Sequence, residues 1–303
     1  MNPPSQDARR LVILPSYNSG PQLARTARAV LEAWNPVWVV LDGTTDSSRA
    51  EILALAARHP QLRVLELPEN QGKGAAVLHA MREARAAGFT HALVMDADGQ
   101  HPASAIEPFM RLSQHHPDAM ILGVPIFGPD APPERVKGRR VGNWFTNLET
   151  LWGGVEDSLF GFRLYPIAES VRILDSIRTA RRFDFDTELA VRLFWAGVQP
   201  INRPVPVTYP AREGVTHFKY LRDNLLLAGT HARLCLLLLP RLPRIWNLRR
   251  KWRNAPSSCP GAWPPLPVWR CSADGTVSPR GPCMIFSGSI RPFAATATGT
   301  ARC

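Results

Sequence analysis

Two carboxylates one residue apart, Asp96 and Asp98, close the segment Ala92-Leu-Val-Met-Asp-Ala-Asp-Gly-Gln-His101. An apolar run of strand length precedes them, and Gln100 and His101 come directly after. On extended backbone residues i and i+2 point the same way, so the end of a strand presents both acids, and then an amide, to one spot. Such oxygen donors suit hard divalent cations such as Mg²⁺ and Mn²⁺, and Mg²⁺ in particular is held by one or two carboxylates plus substrate phosphates. The bland alternative is an acidic loop capping a helix that starts near Pro102.

The elements that position these acids read as alternating strands and helices. Apolar runs at Leu11–Leu14, Val37–Leu41, Leu62–Leu67 and Ala92–Met95 alternate with helical patterns at Gln22–Ala33, Ser47–His59, Gly74–Ala87 and Ala103–Gln114. This spacing predicts βαβ units and a mixed, mostly parallel sheet flanked by helices, an α/β fold. Ligands of such sheets gather beyond the carboxyl ends of the strands, where the unusual residues of this chain lie. The first strand runs into Pro15-Ser-Tyr-Asn-Ser-Gly20, either an ordinary turn or a site with an aromatic face at Tyr17. The second ends in Leu41-Asp-Gly-Thr-Thr-Asp46; Asp42 can accept a base or ribose hydrogen bond, and Asp46 reads as a helix N-cap. After the third, Gly72 and Gly74 flank Lys73 at a helix start, where amides and the helix dipole favour phosphate. The spacing is not that of a Walker loop, and no Gly-x-Gly-x-x-Gly comes after the first strand, which argues against a dinucleotide-binding domain.

Taken in order, VILPSYN (12–18), LDGTTDSS (41–48), ENQGKGAAV (69–77) and DADGQH (96–101) resemble the family 2 glycosyltransferases of the GT-A fold. The subgroup they are most similar to is that of polyprenyl-phosphate mannosyl- and glucosyltransferases. The resemblance implies an inverting transfer of a sugar from a nucleotide diphosphate, with Mg²⁺ or Mn²⁺ on the diphosphate. Position by position it implies that Pro15, Tyr17, Asn18 and Asp42 hold the nucleoside, with Lys73 near the nucleotide. Asp96, Asp98 and Gln100 would hold metal and diphosphate. Two departures touch the nucleoside contacts: Ser19 stands where the family has an acid after Tyr-Asn, and Leu41 replaces the first of two acids before the glycine. They bear on donor identity rather than on the chemistry.

The second half carries candidates for acceptor and base. Arg139, Arg140 and Asn143 lie in a basic, glycine-containing stretch that reads either as a contact for a lipid phosphate or as a solvated helix face. Asp157-Ser-Leu-Phe-Gly-Phe-Arg163 resembles a family segment that would put Asp157 and Arg163 on the rim of the acceptor pocket, Arg163 within reach of the donor, with Phe160 and Phe162 as core. Inversion needs a base for the acceptor's proton, or at most a weak one when the acceptor is already a phosphate. The resemblance points to Asp186, ahead of Glu188, at the start of the helix facing the acceptor; both could instead be dipole partners of that helix. His217 and Lys219 would form a basic flap over the diphosphate, unless the histidine is structural. Residues 221–244, Leu-rich with basic flanks, suit a helix lying in a membrane interface or packing on the core.

Composition limits the remainder. Residues 245–303 hold four of the nine Trp, four of the five Cys, eight Pro and eight Arg or Lys against one acid, Asp274, and contribute +7 of the formal charge of +11. The basic balance is therefore mostly a property of the tail and does not argue for a nucleic-acid partner. The tail cysteines lack zinc-site spacing, and the expected tail is an abnormal, disordered terminus or a basic, Trp-containing membrane-surface segment. No secretory signal or uninterrupted membrane-spanning run is evident. The expectation is a GT-A domain over 8–244, divided into a nucleotide-sugar and metal half (8–124), an acceptor half (125–220) and the apolar helix (221–244). The enzyme would work in the cytoplasm, peripheral on the inner face of the cell membrane, on a nucleotide-sugar donor and a lipid-linked acceptor. A catalytically impaired nucleotide-sugar binder, or a nucleotidyltransferase, are the other readings.

Overall fold

Alternate residues of the central strands pack on opposite faces of one sheet. Leu11 and Ile13 join Trp38, Val40, Ala92 and Val94 in one buried cluster, while Val12 and Leu14 join Val37, Val39, Leu93 and Met95 in the other. Period-two side chains on strands buried from both sides give this division, and each fully buried Leu, Ile or Val contributes about 1.5–3 kcal/mol. The computed structural model describes residues 9–128, 133–177, 179, 181–208, 220–253, 270–271 and 277–278.

The strands are β1 (Arg10–Ser16), β2 (Val37–Asp42), β3 (Leu62–Leu67), β4 (His91–Met95), β5 (Ala119–Phe127), β6 (Phe162–Pro166) and β7 (Gln199–Val207), in the order β3-β2-β1-β4-β6-β5-β7. All pairings are parallel except those of β6, which runs antiparallel to both β4 and β5. Pro200, Pro204 and Pro206 fall on β7 at the sheet edge, where a missing amide costs no ladder bond on the outer side.

One face carries α1 (Gln22–Ala33), α2 (Ser48–Ala56) and α4 (Ile106–His115), the last preceded by a 3₁₀ turn at Ala103–Ala105. The other carries α3 (Lys73–Ala86), α6 (Ile167–Ser176) and α7 (Phe185–Ala196). The α/β class, the four leading strands and the helices between them thus match the sequence expectation. Helix α5 (Pro133–Glu149) packs against α8 (Tyr220–Leu238), and α9 (Leu242–Arg253) comes after a 3₁₀ turn.

The expected boundary at 244 is corrected. The compact unit runs to Asn254, Ile245 is fully buried, and Leu248 and Trp252 pack on the core. A second unit, 255–303, contains a short ladder of β8 (Arg270–Cys271) with β9 (Val277–Ser278). The remaining expectations for the tail fall outside the described residues. Arg222–Trp252 is long and apolar enough to cross a membrane by length and composition alone, although its apolar run is interrupted.

Candidate active site

The loops at the carboxyl ends of β1 and β2 are stitched together by Asn18, expected at the nucleoside, and by Asp46, expected as a helix N-cap. Asn18, at φ 46°, accepts the amides of Thr45 (2.8 Å) and Asp46 (3.3 Å) on its Oδ1. Asp46 accepts the Gly20 amide (2.9 Å) and the Ser48 amide (3.1 Å), so it ties the two loops and meets the first amide of α2, whose N-cap is Ser47 rather than the expected Asp46. Pro15 is buried inside β1 and presents no exposed side chain, whereas Tyr17 is exposed.

Asp42 is corrected more firmly. It is buried, and its two oxygens accept the Gln71 and Gly72 amides, each at 2.8 Å. The amides of Gly74 and Ala75 go to the Arg181 carbonyl at 2.8 and 3.4 Å. The start of α3 is therefore satisfied by protein and is not a phosphate cradle. Its product is the placement of Lys73.

Lys73 Nζ lies 2.7 Å from Asp96 Oδ1 and 2.6 Å from Asp186 Oδ2. Lys73 and Asp186 are close to inaccessible, at 11% and 6% side-chain exposure, while Asp96 keeps 33%. Burial opposes the lysine charge, but Asp186 and Asp96 raise its pKa above the ordinary value. For Asp96, burial likewise opposes ionisation, and Lys73 with His101 holds the carboxyl well below the usual carboxylate range. His101 Nε2 stands 3.8 Å from Asp96 Oδ2, its ring edge-on to Phe160 at 4.6 Å. Two buried polar atoms here have no protein partner among the described residues: Asp186 Oδ1 and His101 Nδ1.

Asp98 is half-buried, and one oxygen accepts the Gln100 amide at 3.0 Å. Burial, and then the negative charge of Asp96, push its carboxyl up. Two crowded carboxylates, one with raised proton affinity, form an oxygen donor set that a divalent cation relieves, so the pair fits Mg²⁺ or Mn²⁺. Among the described residues no group of three His, Cys, Asp or Glu could hold a metal ion. The remaining ligands would come from Gln100, substrate phosphates and water, as is usual for Mg²⁺.

The acceptor half also departs from expectation. Arg163 is not on a rim: it is fully buried and donates to the carbonyls of Phe160 (2.8 Å), Asp186 (2.7 Å) and Asp157 (3.2 Å) and to the Tyr165 hydroxyl (3.3 Å). It fixes the start of α7 against the 157–160 loop. Burial, offset in part by Arg163, pushes the Tyr165 hydroxyl up to about 12. Asp157 is buried as well and accepts from Arg139 (2.7 Å), Asn143 (3.0 Å) and the amides of Leu159 and Phe160. Burial opposes its charge, yet Arg139 and Asn143 hold its pKa below the ordinary value. Glu188, expected as an alternative base, is fully buried between Arg192 (2.7 Å) and Arg233 and faces α8. Arg139 remains partly accessible beyond Asp157, and Arg140 is exposed. His217 and Lys219 lie outside the described residues.

Sequence reading missed Gly161. It closes on the site so tightly that a Cβ there would lie 1.8 Å from Asp96 Oδ2, and its carbonyl accepts the Asp96 amide at 3.0 Å. A glycine beside aromatic residues in a segment already matched to the acceptor loop was the available signal. Gly72, at φ 98° with the Arg181 carbonyl 2.4 Å from a built Cβ, has the same character.

Comparison with known proteins gives the family and the fold. The family described as "Glycosyl transferase family 2" matches residues 11–168, over half of the chain. The dolichyl-phosphate beta-glucosyltransferase ALG5C of Trichomonas vaginalis is 32% identical over 206 residues, covering 59% of this chain and 58% of its own. The chain thus spans less than two thirds of the length of that relative. The polyprenol monophosphomannose synthase of Mycolicibacterium smegmatis is 26% identical over 211 residues, 68% of this chain and 78% of its own. Among solved structures, glucosyl-3-phosphoglycerate synthase from Mycobacterium tuberculosis, in complex with Mn²⁺, UDP-glucose and phosphoglyceric acid, superposes with a TM-score of 0.54 at 16% identity. That match covers 77% of this chain and 79% of the other, and identifies the fold as GT-A.

Proposed function

The chain belongs to glycosyl transferase family 2, and from that premise we propose that it transfers a hexose, with inversion, from a UDP- or GDP-sugar to a lipid-linked phosphate acceptor. The observation that carries the reading is the Asp96–Lys73–Asp186 bridge, with its buried carboxylate oxygen left without a partner. It joins Asp96, just after β4, to Asp186 at the start of α7 through one ammonium group.

The positions of these residues support the following roles. Tyr17 and the stitched β1 and β2 loops lie beside the nucleoside. Asp96, Asp98 and Gln100 would hold Mg²⁺ or Mn²⁺ and the diphosphate. The cation, when bound, supplies Lewis-acid stabilisation of the departing diphosphate. Lys73 keeps the two acid groups at a fixed separation. Asp186, with one oxygen on Lys73 and the other unpartnered, would orient the incoming group. A carboxylate already tied to an ammonium is a weak base, which suits an acceptor that arrives as a phosphate anion. Arg139 and Arg140 supply positive charge for that phosphate, and placement of the two substrates provides much of the acceleration. The names of the two relatives, one a dolichyl-phosphate and one a polyprenol monophosphate enzyme, support a polyprenyl phosphate as acceptor, and an acceptor of that kind would place the reaction at a membrane surface.

Thermal unfolding of the chain with a panel of UDP- and GDP-hexoses, each with Mn²⁺ and with chelator, tests the donor half. A donor at ten times its Kd adds about 1.4 kcal/mol, a Tm rise of roughly 3–6 °C for a domain of this size. A shift for one nucleotide that vanishes with chelator is expected. A shift indifferent to chelator removes the metal, and no shift with any donor in folded protein removes the donor site.

A further inference from the structure

Helix α8 has two unlike sides. On one, Thr230 donates to Asp184 at 3.1 Å, His231 Nδ1 meets Glu149 at 2.8 Å, Arg233 pairs with Glu188, and Leu234 and Leu238 enter the core. On the other, Leu225 and Leu236 are 73% and 71% exposed, and the exposed apolar line continues through Leu239 and Leu242 to Trp246 on α9. The outer face of a surface helix on a soluble domain is normally polar. Here it is apolar, and only 22% of the most apolar window of Arg222–Trp252 is buried.

Two further observations indicate what covers it. Helix α5 lies against α8, with Phe145 stacked on His231 at 5.2 Å, and exposes Val141, Trp144 and Arg140. The charges bordering the apolar line are of one sign: Arg222, Arg244, Arg250 and Lys251 are exposed, and Asp223, the single acid in 222–253, is buried. A second copy of this face would set like charges against each other. Anionic headgroups neutralise them, with exposed tryptophans at the depth where indole rings favour the interface. Crossing the bilayer does not fit, because the inner side of α8 is tied to buried Glu149, Asp184 and Glu188 of the catalytic domain. Those charges would be drawn into hydrocarbon.

We propose that the outer faces of α8, α9 and α5 form a docking surface for an anionic lipid bilayer, with the helices lying in the plane of the headgroups. An open hollow of about 510 Å³ lined by Leu151, Leu242, Pro243, Trp246 and Asn247 opens on the same helix. The proposal extends the lipid-acceptor reading, and only its consequence rests on that reading: Arg139 and Arg140, on α5, meet an acceptor phosphate at the membrane surface.

The test is co-sedimentation of the full chain with phosphatidylcholine vesicles with and without phosphatidylglycerol. Leu225→Ser/Leu236→Ser/Trp144→Ser removes the apolar contacts, and Arg244→Ser/Arg250→Ser/Lys251→Ser removes charge. Binding to the anionic vesicles is expected to fall about tenfold or more for each set, and with added salt for the wild type. The donor-induced Tm shift should be retained in both, showing that they fold. Undiminished binding by the leucine variant would assign binding to another part of the chain and overturn the proposal. So would a wild-type chain that ignores vesicles, or a dimer that the same substitutions dissolve. Transfer to a short-chain, water-soluble phosphate acceptor is measured alongside. Transfer without vesicle binding removes the docking surface alone, and vesicle binding without transfer removes the proposed reaction alone.

Discussion

Gly161→Ala separates the geometry of the donor site from the stability of the fold. The added Cβ would lie 1.8 Å from Asp96 Oδ2 and 2.4 Å from Asp96 Cγ, whereas real Cβ contacts essentially never fall below 3.0 Å. The carboxylate must therefore retreat by more than about 1 Å, and a misplacement of that size costs on the order of 10²-fold in rate, about 2.7 kcal/mol of transition-state stabilisation. The nearest obstructing atoms belong to the end of a flexible side chain, so the backbone need not move and the loss in stability should stay under about 1 kcal/mol. Gly229→Ala is the control, because nothing lies within 4 Å of its Cβ position. The assay is kcat/KM for sugar transfer, paired with the unfolding midpoint in urea. A Gly161→Ala enzyme within about threefold of wild type would refute the argument that Asp96 must stay where Gly161 lets it lie. An alanine variant that fails to fold would refute the separation.

Other substitutions probe the buried cations and acids. Lys73→Met leaves Asp186 buried without its partner, so we expect loss of transfer by more than about 10²-fold and a stability loss of about 3 kcal/mol, read by turnover and urea unfolding; retained turnover would exclude the bridge from the mechanism. Arg163→Met strips donors from the carbonyls of Asp157, Phe160 and Asp186, and should cost about 3 kcal/mol or more by the same unfolding measurement, with donor KM unchanged in whatever folds. A donor-specific KM effect would return Arg163 to the binding surface.

Glu149 predicts a pH dependence. Burial raises its carboxyl above the ordinary value more than His231 lowers it, so the folded state holds the proton more tightly than the unfolded one. Its contribution is full below the ordinary glutamate range and is lost as pH rises through the raised folded value. Glu149→Gln should flatten that decline and raise Tm at neutral pH in a scan from the ordinary glutamate range upward. A variant less stable than wild type at neutral pH would reverse the sign.

Much of the first half was legible because its strands are short apolar runs, two of which, β2 and β4, lead into the acids Asp42 and Asp96. Leu11–Leu14 or Ala92–Met95 can only be buried, and the residues just beyond them stand at the sheet edge. What the sequence hides is which way a polar residue turns once it arrives. Asp42 and Asp157 have the types and places of ligand contacts, yet the first holds amides 29 and 30 residues away and the second binds Arg139. Lys73 and Asp186 are 113 positions apart, and nothing local joins them. Arg163 reads as a surface cation because arginine is seldom fully buried. It is buried because three carbonyls and a hydroxyl meet its donors. The boundary at 244 was set by a change in composition, but Ile245, Leu248 and Trp252 keep i, i+3, i+7 spacing and pack as a helix face.

The most direct test of the central claim is transfer of radiolabelled hexose from the donor found by thermal shift to a polyprenyl phosphate, measured as label extracted into organic solvent. The account predicts a labelled lipid that is abolished by chelator and by Asp98→Ala, in protein that remains folded. Donor consumption without labelled lipid, or a lipid product unaffected by Asp98→Ala, would contradict it.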